Sequence, residues 1–454
     1  MSLPTLPTEL VSIICSHLDQ AHRGALRLAC RDLYCKSLEA FADCAFKNIS
    51  FLVTTDSLGR LRKIAAHDFF RLRVQELWIV PELFGGLYEA DLATFSHTQL
   101  TKRLPNNRPL TAADVEASYA TYQAIVADHL STLEADAFSH VLKACLASFE
   151  NLTVFGLRYR HVSHLASKTH ARCLGLRRLE EQLNCHRTYP LRRFGGSHAR
   201  AANSHSLAFS AFVRAAIAAN RGIQKLYTCR HQCCGLAPQY MALTPAHYES
   251  LLPLLKQVKD LHLCICTFGV QSDDIALHYL LEILAATAPS LEVLAFSTWN
   301  RERQLSSHHL SGISRRIHFT HLAELHLHEL EVSPDAFKCF VRSAAPTLKI
   351  LTLKAVSLTD ETMSTVVYRD ESMRSWQQVL EFFRDELSLQ SLHMVFLFHR
   401  GQRVGIIDRS SQLAGNLRPN DGTRTFFSAD RARISFKDWV GQLKPDLPVA
   451  TEVV

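Results

Sequence analysis

The sequence predicts an α/β chain in which a short helical segment is followed by one parallel sheet, on the concave side of a solenoid, with helices on its convex side. Three observations carry that expectation. An apolar triplet recurs along most of the chain, helical periodicity fills the stretches between copies, and the first 46 residues carry helical stripes of their own.

The triplet places an apolar residue at the first, fourth and sixth positions. It occurs as Val74-Leu77-Ile79, Leu152-Phe155-Leu157, Val258-Leu261-Leu263, Leu291-Leu294-Phe296, Leu322-Leu325-Leu327, Leu348-Leu351-Leu353 and Leu389-Leu392-Met394, with a partial copy at Ile223-Leu226. From Leu226 onward the central positions are spaced by 35, 33, 31, 26 and 41 residues. Within a copy the last apolar residues alternate with polar ones, as a short strand requires. Between copies the period changes: Phe337, Phe340, Val341 and Ala344 lie on one helical face, behind the start signal Ser333-Pro334. Similar stripes are Phe138-Val141-Leu142-Cys145-Leu146, Leu277-Leu280-Leu281-Leu284 and Val379-Phe382-Phe383-Leu387. Burying about four large apolar side chains contributes roughly 6–12 kcal/mol. Ordering some 25 residues costs roughly 1–2 kcal/mol each. A single helix–strand unit therefore cannot stand alone, and stacking on both flanks is required.

This stretch, roughly residues 70–398, resembles irregular leucine-rich-repeat proteins. The family commonly has Asn or Cys three residues beyond the strand; here Cys266 fits, whereas Trp299, Leu330, Val356 and Leu397 stand at the other copies. Two insertions interrupt the array. Residues 81–134 open on Pro81 and Gly85-Gly86 and turn helical near Ala112–Leu130. Residues 158–205 hold ten Lys/Arg against Glu180 and Glu181, a local charge of +8, so the rest of the chain sums to −1 within the net +7. The sequence thus divides into residues 1–50, a repeat body over 51–398, and a cap and tail over 399–454, in which Ile434–Leu443 reads as a capping helix with Trp439 inward.

At the N-terminus, Pro7 and Glu9 suit the first turn of a helix whose stripe is Leu10, Ile13, Ile14 and Leu18. Further apolar clusters follow in Ala25–Arg31 and around Leu33, Leu38 and Phe41. Leu6-Pro7-x-Glu9, Ile13-Ile14, Leu18 and Leu26-Arg27-Leu28-x-Cys30-Arg31 together resemble an F-box of the fungal type, a three-helix docking domain. Many F-boxes carry Trp after the Cys-Arg pair; here the stretch reads Asp32-Leu33-Tyr34. The resemblance implies docking on the Skp-type linker subunit of an SCF ubiquitin ligase. Leu6, Pro7, Ile13, Leu18, Leu28 and Cys30 would supply packing, with Glu9 and Arg31 at the rim. Helices too small to enclose all their apolar side chains leave such a patch open. The same segment would also serve as a plain helical cap on the array.

His262, His326 and His393 occupy one place in their repeats, between the last two apolar positions, and Tyr227 and Cys264 occupy equivalent ones. With His328 and Lys354 they define the expected target-binding face. Cys229-Arg-His231-Gln-Cys233-Cys234 approaches zinc-ligand spacing without a second pair, so neither a metal nor another cofactor is expected. No G-x-x-x-x-G-K, H-E-x-x-H or G-x-S-x-G motif occurs, and the reading is of a protein that is not an enzyme. An odd count of 13 scattered cysteines suits a reducing compartment, cytoplasmic or nuclear. No apolar window reaches membrane-spanning length. The expected partners are the linker subunit and an unknown target protein, with the chain a monomer within that complex. Two other readings remain at this level: a repeat scaffold unconnected with ubiquitin, or nucleic-acid binding through the basic segment.

Overall fold

The computed structural model describes residues 3–83, 92, 111–134, 136–158, 172–183, 198–228, 235–266, 275–299, 314–359, 369–399, 402–408, 424–429 and 434–446. The chain forms two compact units, Met1–Ile223 and Gln224–Val454. Its fold is mixed α/β, built on extensive, mostly parallel sheet.

The first unit opens with α1 (Thr8–His17), α2 (Gln20–Ala29), α3 (Arg31–Lys36) and α4 (Leu38–Phe46). There follow β1 (Asn48–Leu52), α5 (Thr55–Ala65), α6 (Asp68–Arg71) and β2 (Glu76–Val80). The first insertion contributes α7 (Ala112–Glu134), and α8 (Asp136–Ser148) and β3 (Val154–Leu157) come next. The described part of the basic segment forms β4 (Arg172–Leu174), α9 (Leu176–Gln182) and the start of α10 (His198–Ala219). The strands pair in parallel in the order β4-β1-β2-β3. Ile49, Phe51, Leu77, Ile79, Phe155 and Leu157 are all buried, as are Phe138, Leu142, Cys145 and Leu146 of α8. Leu52, Val80 and Leu83 pack instead with Val115, Tyr122 and Val126 of α7 and Leu176, Leu179 and Leu183 in and after α9.

The second unit contains β5 (Lys225–Tyr227), α11 (Pro245–Leu255), β6 (Asp260–Cys266), α12 (Ile275–Thr287), β7 (Val293–Trp299) and β8 (Glu324–His328). After them come β9 (Glu331–Val332), α13 (Pro334–Arg342), β10 (Ile350–Lys354), β11 (Ser357–Leu358), α14 (Arg369–Glu386) and β12 (Ser391–Val395). The chain then adds β13 (Leu397–His399), β14 (Gln402–Asp408), β15 (Arg424–Ser428), α15 (Phe436–Gln442) and β16 (Leu443–Asp446). Strands β5, β6, β7, β8, β10 and β12 are parallel neighbours in that order, and β15 closes the row antiparallel to β12. The central leucines of the sequence triplets, 226, 261, 294, 325, 351 and 392, stand side by side in register.

Each helix that backs these strands buries the stripe its sequence carries: Leu277, Leu280, Leu281 and Leu284 on α12, and Phe337, Phe340 and Val341 on α13. Ser333 caps α13, its hydroxyl accepting from the Ala336 amide at 3.3 Å. On α14, Trp376 is fully enclosed and donates its indole N–H to the Phe398 carbonyl at 2.9 Å. Trp439 of α15 packs against Phe427 and Phe436.

Three successive repeats leave their strand through the same turn. Glu329, Ala355 and Phe396 adopt φ of +52°, +54° and +54°, the left-handed region that L side chains avoid. Each turn feeds a short strand of a second sheet, ordered β9-β11-β13-β14-β16. The positions where leucine-rich repeats carry Asn or Cys hold Leu330, Val356 and Leu397, all buried. A second close fit lies at Gly235, beside the bridge of Leu236 to Ile265. A Cβ there would stand 2.6 Å from the Cys266 nitrogen and 2.7 Å from the Ile265 carbonyl carbon. Gly235→Ala should therefore destabilise the second unit by about 1–3 kcal/mol. Ala355→Gly should stabilise it by up to about 1 kcal/mol by relieving the turn. Urea unfolding of the two variants checks both signs.

Two buried titratable groups in the first unit act in opposite senses. Glu82 is buried with neither carboxylate oxygen hydrogen-bonded among the described residues, and burial pushes its pKa up to about 7. His129 of α7 is fully buried, and burial pulls it down to about 4 although its Nδ1–H donates to the Val53 carbonyl at 2.9 Å and Asp128 lies near. Between about 4.5 and about 7 the folded chain holds a proton on Glu82 that the unfolded chain has lost, so this term weakens as pH rises. Between about 4 and 6.5 only the unfolded chain protonates the histidine, so the His129 term weakens as pH falls. Glu82→Gln should gain stability over the unsubstituted chain as pH rises through the first window, by up to about 3 kcal/mol. Denaturant unfolding across that pH range measures the widening gap.

Candidate functional site: two uncovered surfaces

The first surface lies on α1–α3. Their shared buried cluster is small: Val11, Cys15 and Leu33, against which Leu6, Leu26, Cys30 and Ala40 pack. Much of the remaining closure is polar. Arg23, buried on α2, donates from Nε to the Cys15 carbonyl at 2.5 Å and from its guanidinium to the Ser16 carbonyl at 3.3 Å, and it also meets the Cys44 thiol. Arg23 thus reinforces the C-terminal end of α1, where the Cys15 carbonyl also accepts from the Leu18 amide at 3.3 Å. Arg27 lies over Tyr34 at 4.4 Å and over Phe41 at 3.9 Å. Lys36 donates to the Pro4 and Leu6 carbonyls at 2.7 and 2.8 Å and pins the entering chain. Asp19 caps α2 by accepting from the His22 amide at 2.9 Å.

With the interior assigned to Val11 and Cys15, the leucine-rich stripe of α1 turns outward. Leu10 is 46% and Ile13 56% exposed, and Leu28 on α2 is 87% exposed. Tyr34 on α3 is exposed as well. Of the residues expected from sequence to dock a partner, Pro7, Glu9, Ile13, Leu28 and Arg31 are exposed, while Leu6, Leu18 and Cys30 are half-buried. Pro7 precedes the first turn of α1 and serves as its N-cap residue.

The second surface is the half-exposed face of the second unit's sheet, opposite the leucines. In register across it run Tyr227, His262, Ala295, His326, Thr352, His393 and Phe426. One step toward the strand starts lie Lys225, Asp260, Val293, Glu324 and Ile350, and one step toward the ends Cys264, Ser297, His328 and Lys354. Cys264 departs from the expectation of an open position: it is buried, its carbonyl receiving the Leu236 amide at 2.9 Å where residues 235–237 fold over β6. The six expected target-contact residues Tyr227, His262, His326, His328, Lys354 and His393 do share one face.

Acid–imidazole pairs recur on that face. His262 Nε2 stands 3.3 Å from Asp260, and His326 Nε2 stands 3.6 Å from Glu324. Burial alone would raise the Asp260 carboxyl, but hydrogen bonds from His262 and Tyr227, with Lys225 nearby, outweigh it and hold it below the ordinary range. Partial burial lowers His326, with Glu324 opposing and His262 adding to the shift. Burial, together with His326, Lys354, His262 and His393, lowers His328 to about 4. These two rings are therefore neutral at neutral pH, presenting a donor and an acceptor each rather than a charge.

Elsewhere the described residues offer little chemistry. Burial raises the Cys15 thiol, and raises Cys145 to about 12, so neither is a thiolate at neutral pH. A cleft of about 420 Å³ in the first unit is bounded by Thr55, Asp56, Asp128 and Arg178, but these side chains are engaged with one another. Asp128 accepts from the Thr55 amide at 3.1 Å, and Arg178 meets Asp56 at 2.6 Å. In the basic segment, Arg178 pairs with Asp56, the exposed Arg177 meets Glu181 at 2.8 Å, and Arg158 is buried against Ser50, Asn48 and the Trp78 ring. The Cys229–Cys234 group lies outside the described residues. Among the described residues no three His, Cys, Asp or Glu side chains converge as they stand on one point, and no helix is long and apolar enough to cross a membrane. Compared with protein-family models and with curated proteins, the chain matches none.

The facing of α1 has a direct thermodynamic consequence. Val11→Ala should destabilise the N-terminal helices by about 1–3 kcal/mol. Ile13→Asp, two residues on, should change stability by no more than about 0.5 kcal/mol. Chemical denaturation of the two variants separates the buried edge from the open one.

Proposed function

We propose that the chain is a non-catalytic adaptor of an SCF-type ubiquitin ligase, its N-terminal F-box-like helices docking on the Skp-type linker subunit and its leucine-rich-repeat-like body holding a target protein. The observation that carries this reading is the exposure of Ile13 and Leu28 on helices whose own buried cluster is only Val11, Cys15 and Leu33. Large apolar side chains held in water on a rigid frame mark a partner surface. The motif residues Leu6-Pro7-x-Glu9 and Leu26-Arg27-Leu28-x-Cys30-Arg31 point to which partner. Tyr34, against Arg27, takes the place where many F-boxes have Trp.

The target would meet the face that carries Tyr227, His262, His326, His328, Lys354 and His393. Mechanism on this reading is tethering: two bound molecules are kept at high effective concentration, and the transfer chemistry belongs to the ligase. The chain would act as a monomer within the complex, in the cytoplasm or nucleus. Nucleic-acid binding through the basic segment is the second reading; among its described residues Arg158 is buried within the chain and Arg178 pairs with Asp56.

Co-purification of the full chain with a Skp-type linker subunit tests the proposal. The unsubstituted chain should retain the linker, and the pair Ile13→Asp and Leu28→Asp should lose it while keeping the same thermal melt. Retention by the doubly substituted chain, or no retention by the original, removes the ligase assignment.

A further inference from the structure

Helix α2 buries two arginines, one turn apart, in different surroundings. Arg23 directs its guanidinium onto acceptors, the Cys15 and Ser16 carbonyls and the Cys44 thiol. Arg27, only 9% exposed, meets none among the described residues. Its Nε is sealed from solvent without a hydrogen-bond partner. Its two terminal nitrogens make no hydrogen bond or ion pair there either, but they are not sealed. Two rings hold the side chain instead, Tyr34 at 4.4 Å and Phe41 at 3.9 Å from the guanidinium carbon.

Rings contact the faces of a guanidinium and leave its edge, which carries all five N–H donors, unanswered. The charge is permanent, and burying it without an opposite charge is unfavourable. The acids of the same helices are placed elsewhere. Asp19 caps α2 through the His22 amide, and Glu39 and Asp43 pair with Arg73. Glu9 and Asp32 stand in the first turns of α1 and α3, where a negative charge suits the helix dipole. The unmet edge also borders the open apolar surface: Leu28 is the next residue of α2, and Tyr34, against the guanidinium, is itself exposed.

An apolar surface with one cation at its margin fits an amphipathic helix that carries Asp or Glu on the flank of its apolar stripe. A carboxylate meeting the guanidinium edge-on accepts two parallel N–H bonds, and the rings fix the plane of the fork before the partner arrives.

We propose that Arg27 is the charged anchor of the N-terminal docking surface, receiving a side-chain carboxylate from a helix of the Skp-type linker subunit. For the identity of that partner the inference rests on the ligase reading. Ile13 and Leu28 supply contact area, and the Arg27 pair sets the register of the docked helix, because the fork takes a carboxylate in one plane.

Calorimetric titration of the full chain with purified linker subunit tests the anchor. Methionine fills the slot between the rings without charge, so Arg27→Met should keep or raise the thermal melt. It should nevertheless weaken linker binding by about tenfold or more. Arg27→Lys retains the charge without the fork and should weaken binding as well. Alanine substitution of each linker Asp and Glu should find one that matters to the unsubstituted chain and adds nothing against Arg27→Met, the mark of a direct pair. Should Arg27→Met fail to fold, Arg27→Lys takes its place in that cycle. Full affinity in the folded variant, or losses that add for every linker acid, overturns the anchor. If that happens while Ile13→Asp with Leu28→Asp still abolishes binding, the ligase reading stands without it. No binding by the unsubstituted chain removes both.

Discussion

In the second unit, one register constraint organises everything else. Leu226, Leu261, Leu294, Leu325, Leu351 and Leu392 stand side by side on parallel strands, so every strand must present the same parity of side chain to the helices. A slip of one residue would put histidines into the core and leucines into water. Parallel neighbours need a crossover for each step, and that crossover tolerates length. The spacing between leucines therefore ranges from 26 to 41 residues while the register does not move. The opposite face is released from packing duty, and polar and imidazole side chains can stand there without cost to the core.

The same constraint explains an apparent departure from leucine-rich repeats. Where that pattern calls for Asn or Cys to satisfy loop amides, Leu330, Val356 and Leu397 are buried. The backbone solves the problem instead. After each left-handed residue the chain re-enters an ordered ladder, with the Ser357 amide donating to the Leu330 carbonyl at 2.7 Å and the Phe398 amide to Val356 at 2.8 Å. A second sheet supplies the hydrogen bonds that a side-chain ladder would have supplied, and apolar residues can then take the inner positions.

What could be read from the sequence was what repeats. The triplets located the long parallel strands, and the stripes located α8, α12, α13 and α14, because alternation and the 3.6-residue period survive in a single chain. The helix expected near Ala112–Leu130 spans Ala112–Glu134. Less regular elements were hidden. Strand β1 carries the same triplet as Phe46-Ile49-Phe51, but its first member closes α4, so the copy was read as the end of the helical segment. Strand β4 lies within a run whose charge suggested solvent. The strands β9 and β11 are two residues long, too short for any period to show. In the N-terminal helices, the expected surface residues Leu6, Leu18 and Cys30 are half-buried, whereas Ile13 and Leu28 are exposed and the interior takes Val11, Cys15 and two arginines. Sequence could not reveal that Arg23 caps α1 or that Arg27 lies over Tyr34 and Phe41, since both depend on tertiary approach.

That choice of interior bears on how the N-terminal helices would work under the proposed reading. The cluster shared by α1–α3 has three fully buried apolar residues, apart from Ala42, Ala45 and Phe46 buried on α4, and the buried Arg23 and Arg27 give up hydration to hold the helices. Ile13 and Leu28 remain in water, where each forgoes roughly 1.5–3 kcal/mol that burial would contribute. Binding and folding would then be linked: occupancy would raise the stability of the helices, and helices already held by Arg23, Arg27 and Lys36 would bind with less ordering cost than a flexible segment. The polar staples and the open leucines are two parts of one arrangement, in which the frame is set by hydrogen bonds so that the hydrophobic surface stays available.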